Sequence, residues 1–441
     1  MAATSSQRPR TAATWRYHAG LRARPGRSEC GSQDLTVPQL SRDSEASVAF
    51  ILELGLALHR FGTPANRLED ALAQVAGRLG IPARFFSSPT ALMAAFGPPE
   101  RQRTSLIRVD PGEVDLDRLG RLYALADDVA DGRVGIEEGT ASVREILAKD
   151  HATGPALTIA AFAVASGAAA RFFGGGLPEV AVAVAIGGAN GLLALLLGRA
   201  ENGTPLFPVA ASFLAAFAAV GAAHVAALHA SLCALAGVIV LVPGLTLTVG
   251  LNEIATRHLA SGTTRLTAAA VVFLEIGFGV VVGERSATAL WGEAAAVAPV
   301  PLPAWTEYAA LLAAGLAFGV LFRAPWRGLP WVIAAAALAY AGARIGSLTV
   351  GPEVGASFGA FVLGTAGNLY GRLLRRPSLT LIVPGLLMLV PGSLGFRSLA
   401  AMIEHDTLTG LETAFAMALV GISIVVGLLV ANAVVAPRRM L

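Results

Sequence analysis

The chain has 441 residues, of which 54% are hydrophobic and only 14% charged, and its mean hydropathy is +0.63. Such a composition is too apolar for a water-soluble protein of this length and excludes a purely aqueous fold. The net charge of +3 and pI near 9.2 do not point to nucleic acid. Arg8, Arg10, Arg16, Arg22, Arg24 and Arg27 crowd the N-terminal tail, many more lie in 45–150, and most of those beyond fall in loops between apolar segments.

In chain order, residues 1–44 read as a disordered Arg-rich tail. The tail lacks the apolar run and small-residue cleavage site of a secretory signal. Cys30 and Cys233 are the only cysteines, which gives neither a disulfide framework nor a zinc spacing. Residues 45–150, rich in acids and arginines, read as a compact cytoplasmic α/β domain. Val48, Ile51, Leu52, Leu54, Gly55 and Leu58 give helical spacing over Ala46–His59. Gly62-Thr63-Pro64 breaks the chain and starts a second helix that runs to Leu79. Short β-prone runs follow at Ala83–Phe86, Ala91–Phe96 and Ser105–Val109. Helices are predicted over Leu116–Ala130, with Asp115 as N-cap, and over Ile136–Leu147.

From Pro155 onward ten segments of near-spanning length are predicted, at 155–173, 178–198, 206–223, 227–249, 266–283, 304–322, 329–346, 352–370, 378–396 and 412–435. They divide into a first five-helix repeat over 151–288 and a second over 289–441. With the N-terminal domain inside, ten arginines (199, 257, 265, 323, 327, 372, 375, 376, 438 and 439) face the cytoplasm, against four (171, 285, 344 and 397) outside. This satisfies the positive-inside rule and puts both termini in the cytoplasm.

Val242-Pro243-Gly244 recurs 141 residues later as Val383-Pro384-Gly385, each time inside an apolar segment. Proline removes a backbone donor and glycine loosens the chain, so both segments are expected to break there. Ala211-Ser212-Phe213 likewise recurs as Ala356-Ser357-Phe358. Five segments per half is an odd number, so the second half must insert upside down. Broken helices in matching halves point to a carrier with its site near the midplane.

The stretch 243–265, PGLTLTVGLNEIATRHLASGTTR, resembles the threonine/serine exporter family through Pro243-Gly244, Asn252-Glu253, Gly262 and Arg265. The resemblance extends through Gly62-Thr63-Pro64-Ala65-Asn66-Arg67-Leu68-Glu69 and Ser88-Pro89-Thr90. The second half keeps Pro384-Gly385 and Pro391-Gly392 but lacks an Asn-acid pair at the matching offset. The family resemblance implies a cytoplasmic domain followed by ten membrane helices in a bacterial-type inner membrane, exporting threonine and serine against inward proton movement. A relative in the split arrangement would handle dicarboxylates instead. The partners implied are therefore the amino acid, protons and the bilayer, without nucleic acid, and a homo-oligomer is compatible with this reading.

For each candidate residue a functional reading stands beside a structural one. Pro243-Gly244 and Pro384-Gly385 would free carbonyls and amides to grip a zwitterion, or only kink packed helices. Asn190 and Asn368 would contact substrate, or act as helix–helix ties. Glu275, where an ionised carboxylate costs roughly 2.5–3.5 kcal/mol in the bilayer, would carry the coupling proton, or be a structural acid. Asn252, Glu253 and Arg265 would form a cytoplasmic gate, or an ordinary loop ion pair. Arg67 and Glu69, with Asp70, open a helix and would form a regulatory surface, or only complement its dipole. No catalytic set is found: His59 and His151 have no companion at metal spacing, and Ser87-Ser88 has no paired base. Nor is there a phosphate loop or nucleotide fingerprint, so no cofactor and no ATP drive is implied. A membrane-anchored enzyme or sensor acting through the N-terminal domain is the rival from another class.

Overall fold

Apolar residues spaced three and four apart make helices wherever one face can be buried, and this sets the first elements of the chain. A computed structural model describes residues 42–437, apart from 111, 150–152, 201–203, 296, 375, 391 and 404–405. Residues 1–41, with Cys30, lie outside the described residues, as do His151, Arg375, Pro391, Arg438 and Arg439. The first helix, α1 (Arg42–Arg60), starts inside the stretch read as tail and buries Ile51, Leu54 and Leu58 completely. Gly62 then turns with φ +87, a conformation costly for any side chain. Pro64 leads into α2 (Ala65–Arg78). Three antiparallel strands follow in the order β1 (Ala83–Ser88), β2 (Ala91–Phe96), β3 (Arg103–Arg108). Leu92, Ala94 and Phe96 point into the core while Met93 is exposed, the alternation of a one-sided sheet. The third strand begins two residues before the predicted run. Asp115 caps α3 (Leu116–Ala130) by accepting from the Arg118 N–H at 2.9 Å, as its sequence predicts, and α4 (Ile136–Ala148) completes this part.

The apolar half of the chain builds α5 (Pro155–Phe172), α6 (Leu177–Leu197), α7 (Phe207–Ala223), α8 (Ala230–Gly237), α9 (Gly244–Ala255) and α10 (Leu259–Trp291). It continues with α11 (Thr306–Leu321), α12 (Leu329–Val350), α13 (Pro352–Leu374), α14 (Leu379–Leu387), α15 (Gly392–Ile403) and α16 (Thr407–Val434). Among the described residues, six stretches are long and apolar enough to cross a membrane: α5, α6, α10, Trp326–Val350, Leu379–Met402 and α16. The shorter α7 and α11 are also apolar. The described residues of 42–437 form one compact unit. Leu379 and Val383 of α14 are part of the same hydrophobic core as Leu54, Leu68 and Leu122, and Leu245 of α9 packs against it.

The first Val-Pro-Gly break is present: α8 stops at Gly237, Pro243 precedes α9, and the intervening residues form turns. The second is not where the repeat predicts. Pro384 lies inside α14, and the interruption falls after Leu387, before Gly392. A proline in a short helix costs a single backbone bond, which burial of the whole segment offsets; every residue from Leu379 to Leu386 is buried. The better counterpart of Leu241-Val242-Pro243-Gly244 is Leu389-Val390-Pro391-Gly392, a four-residue match 148 positions on. The two meet in space. A Cβ built on Gly392 would lie 3.5 Å from the Val242 Cβ, and one built on Gly244 would lie 3.7 Å from the Gly392 Cα.

Packing partners recur between the two sets of helices. Just as α7 lies on α10, α13 lies on α16; α9 on α10 is matched by α15 on α16, and α6 on α8 by α12 on α14. The Ala-Ser-Phe repeats sit at the tightest of these crossings. A Cβ on Gly279 would come within 2.0 Å of the Ser212 Oγ and 2.5 Å of the Val209 carbonyl oxygen, and one on Gly427 within 2.2 Å of the Ser357 carbonyl oxygen. Small residues thus let backbones touch, which is how helices associate without a hydrophobic drive in lipid. Gly279→Ala is expected to destabilise the protein by about 1–3 kcal/mol, because the Val209 backbone cannot rotate away. Gly188→Ala, whose nearest neighbour would be Ala163 at 3.7 Å, is expected to be neutral or slightly stabilising. Thermal unfolding of both variants in detergent checks the pair.

Candidate functional site

The broken helix delivers an acid to a place where a charge would not otherwise sit. Arg257 takes φ +68 between α9 and α10, and the chain doubles back. Gly250 and Gly262 allow the two helices to cross closely: a Cβ on Gly262 would be 2.6 Å from the Gly250 carbonyl oxygen. That crossing brings Ser261 and Arg265, one turn apart on α10, against Glu253 of α9. Glu253 is 0% exposed. Its Oε2 accepts from the Ser261 hydroxyl at 2.8 Å, and the Arg265 Nε–H reaches both oxygens, at 3.0 and 3.2 Å. Its Oε1 also accepts from the backbone N–H of Ala65 at 2.9 Å. Ala65 is the first residue of α2, and Pro64 before it offers no side-chain cap. A carboxylate from the apolar half therefore fills a helix N-terminus that its own sequence leaves open, where both the free N–H and the helix dipole favour negative charge.

Further contacts converge on the same junction. Glu69 accepts from the Ser87 N–H at 2.7 Å and faces the His258 Nε2 at 3.5 Å. The Arg67 Nη1 donates to the Ser378 Oγ just before α14 at 2.7 Å. His59 Nε2 lies 2.7 Å from the Ser88 carbonyl oxygen, while its Nδ1 is buried with no partner among the described residues. Burial holds the Arg67 guanidinium below its usual range. Burial also raises the Glu69 carboxyl, although the Ser87 N–H and His258 oppose this. For His59, burial again comes first in lowering the imidazole, and the nearby Arg265 charge adds to it.

The residues read as gate and those read as regulatory surface thus belong to one junction. The Glu253–Arg265 pair is present, with the carboxylate buried and the guanidinium half-buried, unlike a solvated loop pair. Asn252 is half-buried beside it, and its side chain makes no hydrogen bond among the described residues. Ser261, His258 and Ser378 have no role in the sequence reading, where His59 is considered only as a metal ligand. Two signals for them were in the chain: Ser261 and Arg265 share a helix face at i, i+4, and a helix begun by Pro64-Ala65 lacks a capping side chain.

The other candidates are dispersed. Fully buried Asn190 donates to the Gly237 carbonyl oxygen at 3.1 Å, where α8 ends, so it touches the first break. Asn368 donates to the Asn432 Oδ1 at 2.8 Å and the Val435 carbonyl at 2.7 Å, tying α13 to the end of α16. The Oδ1 atoms of both asparagines have no partner among the described residues. Glu275 is half-buried midway along α10 and makes no hydrogen bond or ion pair among the described residues. Pro384-Gly385 packs away from the crossing, with a Cβ on Gly385 2.4 Å from Leu363 of α13. Pro243-Gly244 lies at the crossing itself. Among the described residues no group of His, Cys, Asp or Glu is arranged to hold a metal ion.

Comparison with known proteins gives a family for this geometry. Residues 49–286 match the family model for a threonine/serine exporter, and residues 308–434 match a second model described as threonine/serine exporter, ThrE. Curated relatives include pheromone-regulated membrane protein 10 of Eremothecium gossypii, 24% identical over 88% of this chain and 56% of the relative. The protein of that name in Debaryomyces hansenii is 26% identical over 82% of this chain and 37% of its own length. In Saccharomyces cerevisiae it is 25% identical, over 83% and 48% respectively. The chain thus spans about half the length of these relatives or less. No solved structure matches.

The His59 environment makes a pH prediction. With its folded pKa depressed, this histidine contributes stability above the unfolded value of about 6.5. That stability is lost as pH falls through the folded value, because the unfolded chain takes up the proton first. The thermal midpoint of the full chain should therefore drop below about pH 6.5, and His59→Gln should flatten this part of the profile. An unchanged slope in the variant would assign the pH dependence to other groups.

Proposed function

This chain belongs to the threonine/serine exporter family, and we propose that it is a secondary active exporter of small hydrophilic amino acids, threonine and serine above all, driven by inward proton movement. The observation that carries this reading is the meeting of two helix interruptions. Half-helix ends expose backbone amides and carbonyls suited to the carboxylate and ammonium of a zwitterion, and Asn190 lies at the end of one of them. The recurring helix partnerships favour two inverted five-helix halves that rock about the crossing of Gly244 and Gly392, with ten spans in all. The Arg distribution favours cytoplasmic termini in an inner-type membrane, with residues 45–150 as a cytoplasmic α/β domain.

On this reading Glu253 and Arg265, with Asn252 beside them, form the cytoplasmic gate, and Arg67 and Glu69 hold the N-terminal elements against it. Glu275, an unpaired acid at mid-span, is the proton carrier. The dicarboxylate alternative would need several free cations at the site, and Arg265, which the α9–α10 crossing brings against Glu253, is already neutralised by that carboxylate. The carrier reading also disfavours an enzyme.

Counterflow in proteoliposomes tests the substrate. Labelled threonine and serine should exchange, succinate should not, and an imposed pH gradient should drive net threonine movement. Threonine movement indifferent to the gradient would remove proton coupling, and succinate counterflow would favour the dicarboxylate reading. Glu275→Gln should keep exchange while cutting gradient-driven accumulation by at least about tenfold, the scale of a lost coupling interaction. Unchanged accumulation would return Glu275 to a structural role.

A further inference from the structure

Glu253 is held by donors from three places in the chain: the Ala65 N–H of α2, the Ser261 hydroxyl and the Arg265 guanidinium of α10. Every donor is of a kind that recognises a carboxylate, and together they supply four contacts to its two oxygens. The acid itself arrives on α9, a helix of 12 residues that begins at the Pro243 break. Ser261 and Arg265 stand on α10, which is continuous over 33 residues, and Ala65 stands on α2, which is anchored in the hydrophobic core it shares with α1, α3 and α14. The receptor is therefore carried by long or well-anchored elements and the occupant by a short, interrupted one.

We propose that this donor set is a carboxylate-recognition site which the chain fills with its own Glu253 in the closed state, and that the carboxylate of the transported molecule takes it over when α9 withdraws. The identity of that molecule as an amino acid rests on the exporter reading, whereas the site itself does not. Withdrawal of Glu253 alone would leave the half-buried Arg265 charge and the α2 N-terminus without a counter-charge, which is unfavourable. An incoming carboxylate removes that penalty because it offers the same two oxygens to the same donors. Opening is thereby tied to the presence of a carboxylate-bearing ligand, since a ligand shifts an equilibrium only through differential affinity for the two states. An amine or amide lacking the carboxylate brings Arg265 no counter-charge. The same exchange would free α9 from α2, so that the N-terminal elements register occupancy.

The test uses the full chain in detergent and a minimal probe. Glu253→Ala empties the site without removing any donor. Its unfolding midpoint should rise by about 2–4 °C in sodium acetate relative to sodium chloride of equal ionic strength. Acetamide should have no such effect, and the wild-type protein, with its site filled, should not respond to acetate. If Glu253→Ala yields no folded protein, the same comparison on Glu253→Gln should give a smaller shift of the same sign. Acetate that moves variant and wild type equally, or moves neither, overturns the proposal. Acetate stabilisation without threonine counterflow by the wild type would keep the site and retire the amino acid as its ligand. Counterflow without an acetate effect would keep the exporter and retire this site.

Discussion

A single carboxylate removed from water organises the junction on which this molecule depends. Glu253 has no solvent contact, and burying a lone charge in protein costs several kcal/mol unless donors surround it. Its donors come from α2 and α10, so satisfying one group ties the N-terminal elements, the broken helix and the long helix after it into one unit. Removing one partner of such a buried pair typically costs about 3–5 kcal/mol, a large part of the roughly 5–15 kcal/mol that separates folded from unfolded chains. Other contacts at the junction, Glu69 to His258 and Arg67 to Ser378, are single bonds that align surfaces already held together.

The hydrophobic core leads to the same conclusion. Leu379 and Val383 sit in one cluster with the buried leucines of α1, α2 and α3, so the elements before residue 150 are seated directly on α14 and α9. Each of those helices flanks one of the interruptions. On the exporter reading, a movement of either half-helix would reach the N-terminal elements through these packed side chains and one buried carboxylate.

Much of this was legible in the sequence, for identifiable reasons. Periodicity placed α1–α4 to within a few residues because each helix has one apolar face and a clear punctuating residue, such as Gly62 or Asp115. The family was legible from the order of short motifs. The second interruption was misplaced because a matching Val-Pro-Gly tripeptide drew attention to Pro384, while the longer Leu-Val-Pro-Gly match ending at Gly392 marks the interruption. Local chemistry could not choose between two proline-glycine pairs seven residues apart, since burial decides whether a helix tolerates its proline. Nor could a single sequence reveal that Glu253 lies against Ala65, 188 residues away, because no local pattern encodes a contact between a side chain and a distant backbone N–H. The Ala-Ser-Phe repeat, read first as a sign of duplication, proved to mark the tightest helix crossings through Gly279 and Gly427.

On the exporter reading, the two interruptions face each other at a crossing that moves during transport. The geometry allows a direct test, since a Cβ on Gly392 lies 3.5 Å from the Val242 Cβ, within the span of a disulfide. In a background without Cys30 and Cys233, the Val242→Cys, Gly392→Cys carrier should cross-link on mild oxidation. Threonine counterflow in liposomes should then stop and return on reduction. Efficient cross-linking that leaves counterflow unchanged would contradict a moving crossing, and failure to cross-link would contradict the meeting of the breaks.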